Sequence, residues 1–142
     1  MAEKNLHIIK KAIYDKLKND STLTTLLGGN KIYFERNPNT ITYPAIVYGI
    51  ITDVDNIYNE DISDGKITET TFHVTIFSNN PKSEESDNLE SRVKTLLHGQ
   101  RKLDGQDIAC FGCFKQYSDQ RFDAEGQVWV TASVFRLSSA PK

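Results

Sequence analysis

Residues 68–78 read Thr68-Glu69-Thr70-Thr71-Phe72-His73-Val74-Thr75-Ile76-Phe77-Ser78. Phe72, Val74 and Ile76 alternate with more polar residues, so this stretch is a β-strand with one face turned to a core. Upstream, Tyr43-Pro44 leads into Ala45-Ile46-Val47-Tyr48-Gly49-Ile50-Ile51, a nearly continuous apolar run that reads as a buried strand. The residues between the two runs break the pattern with Asp, Asn, Glu, Ser and Gly. The pair is therefore predicted to form a hairpin with a long acidic loop over residues 53–66, expected to be mobile.

Downstream, Asn80-Pro81 punctuates the chain, and Leu89, Val93, Leu96 and Leu97 fall on one helical face within residues 83–98, with Gly99 as a stop. Residues 107–117 and 127–137 are two further predicted strands, joined by a turn at Asp123-Ala124-Glu125-Gly126. At the amino end Leu6, Ile9, Ile13 and Leu17 form the stripe of an amphipathic helix, and Gly28-Gly29 closes a short helical turn capped by Asp20 or Ser21. A short apolar piece, residues 31–35, follows. The predicted fold is α+β: a mostly antiparallel four- to five-stranded sheet with two main helices packed on one face. One domain spans residues 1–142, with the last few residues expected to fray.

Composition bounds the function. The 142 residues carry 17 Lys plus Arg against 19 Asp plus Glu, a net charge of -2, which supplies no general basic field for nucleic acid. No apolar run approaches the ~20 residues of a membrane helix, and the amino end lacks the apolar segment of a secretory signal. Two cysteines agree with a reducing compartment, so the expectation is a product made in the cytoplasm, without membrane contact.

Candidate chemistry is sparse. Cys110-Phe111-Gly112-Cys113 has a redox or half-zinc spacing, but it lies inside a predicted strand, where positions three apart in regular alternation point to opposite faces. Core cysteines are the favoured reading. The acidic loop, with Asp53, Asp55, Glu60, Asp61 and Asp64, fails the calcium-loop spacing because Ile57 and Tyr58 stand where an oxygen ligand and a glycine belong. It reads instead as a solvated loop that orders on a partner. His7, His73 and His98 have no recognisable nucleophile signature beside them. No catalytic residue, metal or cofactor is assigned.

The second sheet face is expected to hold Phe77, Phe111, Cys113, Tyr117, Trp129, Phe135 and Leu137, more apolar than a face open to water should be. Either the monomer's own loops and the short strand near Ile32 cover it, or a subunit contact does, with Phe111, Trp129 and Phe135 as candidate anchors.

Taken in order, the opening helix, Leu26-Leu27-Gly28-Gly29 with Ile32-Tyr33, Tyr43-Pro44-Ala45-Ile46-Val47-Tyr48, Phe72-His73-Val74-Thr75-Ile76-Phe77-Ser78, Leu96-Leu97-His98 and Val130-Thr131-Ala132-Ser133-Val134-Phe135-Arg136 resemble the tail-completion family of bacteriophages, the tail terminator or tail-to-head joining proteins. The resemblance covers nearly the whole chain; neither the Cys-Phe-Gly-Cys stretch nor the acidic loop belongs to it. It implies a virion structural protein at the tail-head junction that forms a ring, usually hexameric, on the tail tube. Such a ring stops tube growth and joins the tail to the head connector. The implied partners are further copies of the chain, the major tail tube protein and head-completion proteins, with DNA only as passing cargo. The alternatives are another neck ring, such as a head-closure or stopper protein, and a small ligand-binding or thiol-dependent enzyme domain using Cys110, Cys113 and His73.

Overall fold

The computed structural model describes residues 6–35, 42–57, 66–105 and 108–141, at 55–57, 66 and 141 by the backbone alone. The elements follow in the order α1 (Leu6–Lys18), α2 (Ser21–Leu27), β1 (Ile32–Phe34), β2 (Ala45–Ile57), β3 (Lys66–Ser78), α3 (Glu84–Leu97), β4 (Ile108–Asp123) and β5 (Val128–Pro141). They build one five-stranded sheet in the order β1-β2-β3-β5-β4. All neighbours pair antiparallel except β1, which runs parallel to β2 from Ile32 beside Ile46 to Phe34 beside Tyr48. The α+β expectation holds.

Each helix reaches the sheet through the stripe its sequence provides. Ile9, Ile13 and Leu17 of α1, and Leu89, Val93 and Leu97 of α3, recur every four residues and are buried. They close over Ile46 and Tyr48 of β2, Phe72, Val74 and Ile76 of β3, and Phe135 and Leu137 of β5, all in one apolar cluster. At its centre Phe72 and Phe135 stack with ring centroids 5.5 Å apart.

Between the first two helices Asp20 does two jobs. One carboxylate oxygen accepts the Leu23 amide at 2.9 Å, capping α2, and the carboxylate also accepts a fork from Arg92 of α3, Nε at 2.8 Å and Nη2 at 2.6 Å. The Arg92 hydrogen bond holds the Asp20 carboxyl below its ordinary pKa of 3.8, assisted by the Leu23 amide against the opposing effect of burial. Gly28 ends α2 at φ 75°, a left-handed conformation in which a side chain would be strained.

The strands are longer than the hydrophobic pattern suggests. β2 continues through Asp53 to Ile57, and β3 begins at Lys66, so the two ends of the segment expected to be loop, residues 53–57 and 66, are paired strand. β4 likewise continues past Tyr117 to Asp123. β5 reaches Pro141, opposite Ile108, through residues expected to fray. The β4 extension is exposed from Tyr117 to Asp123, so the alternation of apolar and polar residues that marks a half-buried strand is not required there.

Two hairpins thus leave the sheet in opposite directions. The β2–β3 arm lies at the end where Ile108 and Pro141 meet, and the β4–β5 arm at the end where Ser78 pairs with Trp129.

Candidate functional site

The helix-free face of the sheet was the sequence's leading candidate surface, and its population is partly different from expectation. Pairing fixes the sides: Phe72 lies opposite Phe135, Thr70 opposite Leu137, and Leu137 opposite Cys113, so Phe135, Leu137 and Cys113 share the helix-covered face and are fully buried. Ser78 lies opposite Trp129 in the same ladder, so Trp129 is on that side as well, and the placement of Trp129, Phe135, Leu137 and Cys113 on the second face is therefore corrected. A bulge at Phe111 causes part of the shift, because Cys110 pairs with Ser139 while the next register position belongs to Gly112 and Ser138. The extra residue brings Cys110 and Cys113 onto the same face, overturning the expectation that they point apart.

Both thiols are buried and free, and burial pushes both up from the ordinary thiol pKa, Cys113 far up. Such thiols stay protonated and unreactive at neutral pH. The bulge turns Phe111 outward to 51% exposure.

The other candidates separate as well. Trp129 is half-buried at the root of the β4–β5 arm, edge-on to Phe122 at 5.1 Å, and its indole N–H points to the Pro81 carbonyl at 3.5 Å. Asp53 is on β2 and accepts a 2.7 Å hydrogen bond from the Thr70 hydroxyl. Asp55 lies on the same strand, its side chain outside the described residues. Glu60, Asp61 and Asp64 also lie outside them.

The helix-free face includes Val47, Gly49 and Val54 of β2, Thr71, His73, Thr75 and Phe77 of β3, Val130, Ala132, Val134 and Arg136 of β5, and Phe114, Tyr117, Asp119 and Arg121 of β4. His73 lies so close over Gly49 that a Cβ there would stand 2.7 Å from Nε2. Burial holds the His73 imidazole below its ordinary pKa, opposed by the nearby Glu35 carboxylate, and Nδ1 shares a 2.9 Å hydrogen bond with the Thr75 hydroxyl. Arg136 is paired with Glu69 across the strands.

The margins carry exposed apolar residues that the sequence reading missed, apart from Tyr117, which stands on the second face as expected. Ile51 and Val54 on β2, and Phe114, Tyr117 and Phe122 on β4, are exposed, Tyr117 at 61%. A signal for the β4 residues was present: the turn at residues 123–126 requires the strand to run to it, and nothing between Tyr117 and Asp123 breaks a strand. The β2 pair owes its exposure to a bulge between Ile50 and Thr52, which no residue type announces.

An open groove of about 440 Å³ lies between α1, the end of α3 and the turn at residues 102–105. Leu96, Leu103 and Ile108 contribute apolar floor and Lys11, Lys16 and Lys102 a basic rim; its lining contains no Ser, Thr, Cys or His to act as a nucleophile or imidazole base. Among the described residues, no group of three or more His, Cys, Asp or Glu is placed to hold a metal ion, and no helix is long and apolar enough to cross a membrane.

The sequence profile of the tail completion protein gp17 family matches residues 11–137. The chain belongs to this family. It is thus a structural tail protein of the bacteriophage type. Among solved structures, a chain of the virion of a native gene transfer agent particle superposes with a TM-score of 0.75 at 14% identity, covering 98% of this chain and 99% of that one. A second solved chain matches with a TM-score of 0.59 at 8% identity, over 99% of this chain and 97% of the other. At these identities the likeness is one of fold. No curated protein is detectably similar to the chain.

Proposed function

We propose that copies of this chain close into a ring, with six as the expected number, on the head-proximal end of a tail tube. The ring halts tube growth and presents a surface to the head connector. The observation that carries this reading is the family match over residues 11–137, from the first helix to the last strand. The fold shared with a chain of a gene transfer agent virion supports it, as do the exposed apolar residues at both margins of the sheet, which need a partner. Its partners are then neighbouring copies, the major tail tube protein and head-completion proteins, and DNA passes through without sequence recognition. The net charge of -2 suits such a passage, since phosphate finds no basic surplus to hold it. The chain's place is the tail-head junction of the virion.

Electron microscopy of lysates from a phage or prophage lacking this gene tests the proposal. DNA-filled heads lying apart from tails, with overlong tails among them, are the expected outcome; normal virions would overturn it. Charge reversal of the acidic residues at 53–64 tests the loop separately. Reduced head-tail joining is expected, and unchanged joining would remove the loop from the contact.

A further inference from the structure

Before the bulge at Gln116 the outer side of β4 has partners. Gly99 exchanges both backbone hydrogen bonds with Cys113, at 2.7 and 2.9 Å, and His98 Nδ1 accepts the Lys115 amide at 2.9 Å. After the bulge the run Tyr117–Asp123 pairs, among the described residues, with β5 alone, and all seven of its residues are exposed. The turn at residues 124–127 ends it. The run is held in place from within, because Gln120 on its helix-covered side donates to Asp87 of α3 at 2.9 Å and to Thr131 of β5 at 3.0 Å. A fixed, open strand edge is a template for another strand, and this one lacks the Lys or Pro that commonly guards such an edge.

The charges of the run select the strand that fits. Tyr117, Asp119, Arg121 and Asp123 follow one another along the helix-free face. Among the described residues, no ion pair or hydrogen bond occupies the side chain of Asp119 or Arg121. Along a strand every second residue turns its N–H and C=O to the same side, so a run that meets a copy of itself antiparallel pairs odd positions with odd and even with even. Centring the pair on Asp119 sets that carboxylate against its own copy. Centring it on Arg121 sets the two guanidinium groups together and Asp119 against Asp123. Centring it on Gln120 uses all seven residues and sets Asp119 against Arg121 twice, on either side of the centre. Tyr117, 61% exposed, then lies opposite Asp123 and diagonal to Arg121 of the second copy, within reach of a cation–π contact.

We propose that two copies of this chain join, off the tail, by antiparallel pairing of their Tyr117–Asp123 edges about a two-fold axis at Gln120. The occupant of the open edge is thus a second copy of this chain, and the two sheets become one, with the helices of both copies on the same side. Both copies use the same surface, so the contact closes at a dimer and is distinct from the repeating contact of a ring. Seven paired residues span about 24 Å at roughly 3.4 Å per residue. A contact of this size is small, so the dimer forms reversibly as concentration rises.

Sedimentation equilibrium of the purified full chain at concentrations up to about 1 mM tests this. The wild type should pass from monomer to dimer and go no further. Asp119→Arg and Arg121→Asp each turn the two attractive cross-strand pairs into repulsive ones. Either variant alone should keep the wild-type circular dichroism spectrum and raise the dissociation constant roughly tenfold or more. An equimolar mixture of the two should regain the wild-type dimer, because each variant then meets its complement. A wild type that stays monomeric throughout, a dimer that neither variant weakens, or a mixture that does not recover would each overturn the proposal, and species larger than a dimer would overturn its two-fold closure. The ring is tested separately by the micrographs of lysates lacking the gene, so either reading can fail alone.

Discussion

Two aromatic pairs sit on the same side of the sheet and meet opposite fates. Phe72 and Phe135, on the β3–β5 ladder, stack beneath the helices and are fully buried, whereas Phe122 and Trp129, on the β4–β5 ladder, meet edge-on with Phe122 exposed. The residue types are nearly the same and so is the strand environment. What differs is the cover: Phe72 and Phe135 lie in the buried cluster with residues of α1 and α3, and Phe122 and Trp129 do not. Aromatic content in a strand therefore does not tell a core from a contact surface.

The comparison can be broken most directly by truncation. Phe135→Ala should cost about 3–5 kcal/mol and leave little cooperative unfolding in urea. If it cost as little as the same change at Phe122, the distinction between the pairs would fail. Cys113→Ser, which places a hydroxyl in the same covered layer, should cost roughly 1–3 kcal/mol. In the same layer, both native thiols should resist iodoacetamide at pH 8 until denaturant opens the fold; rapid labelling of the folded protein would contradict their burial.

A third test uses pH. The Asp20 carboxyl is held below its ordinary value in the folded state, so its contribution is present above the unfolded value near 3.8 and is lost as pH falls through the lower folded value. Asp20→Asn should flatten the fall in melting temperature on acidification below pH 4. At the wet end, Phe122→Ala should be the mildest change, about 0.5–1.5 kcal/mol from the loss of the Trp129 contact. Circular dichroism melts of the two aromatic truncations side by side would measure how much the helix cover is worth.

Much of the architecture was legible because it rests on short-range periodicity. Ile9, Ile13 and Leu17, or Phe72, Val74 and Ile76, announce both an element and its buried side. The face assignment of Cys113 was not legible, because it depends on a single-residue bulge at Phe111, and a one-residue slip exchanges the two sides of a strand. Val54 was hidden for another reason: it follows the bulge at Ile51, in a part of β2 whose acidic residues read as loop. Family membership was readable from the order of segments, since that order is the topology itself.

The opposite directions of the two arms have a mechanical consequence. The arms are joined through β3 and β5, which pair without a bulge over the eleven positions from Thr68 beside Ser139 to Ser78 beside Trp129. Because ladder hydrogen bonds lie across the strands, tension applied between the two arm tips loads this whole row at once in shear and cannot unzip it one bond at a time. A subunit held at both ends between two large bodies would carry the strain in its most resistant direction.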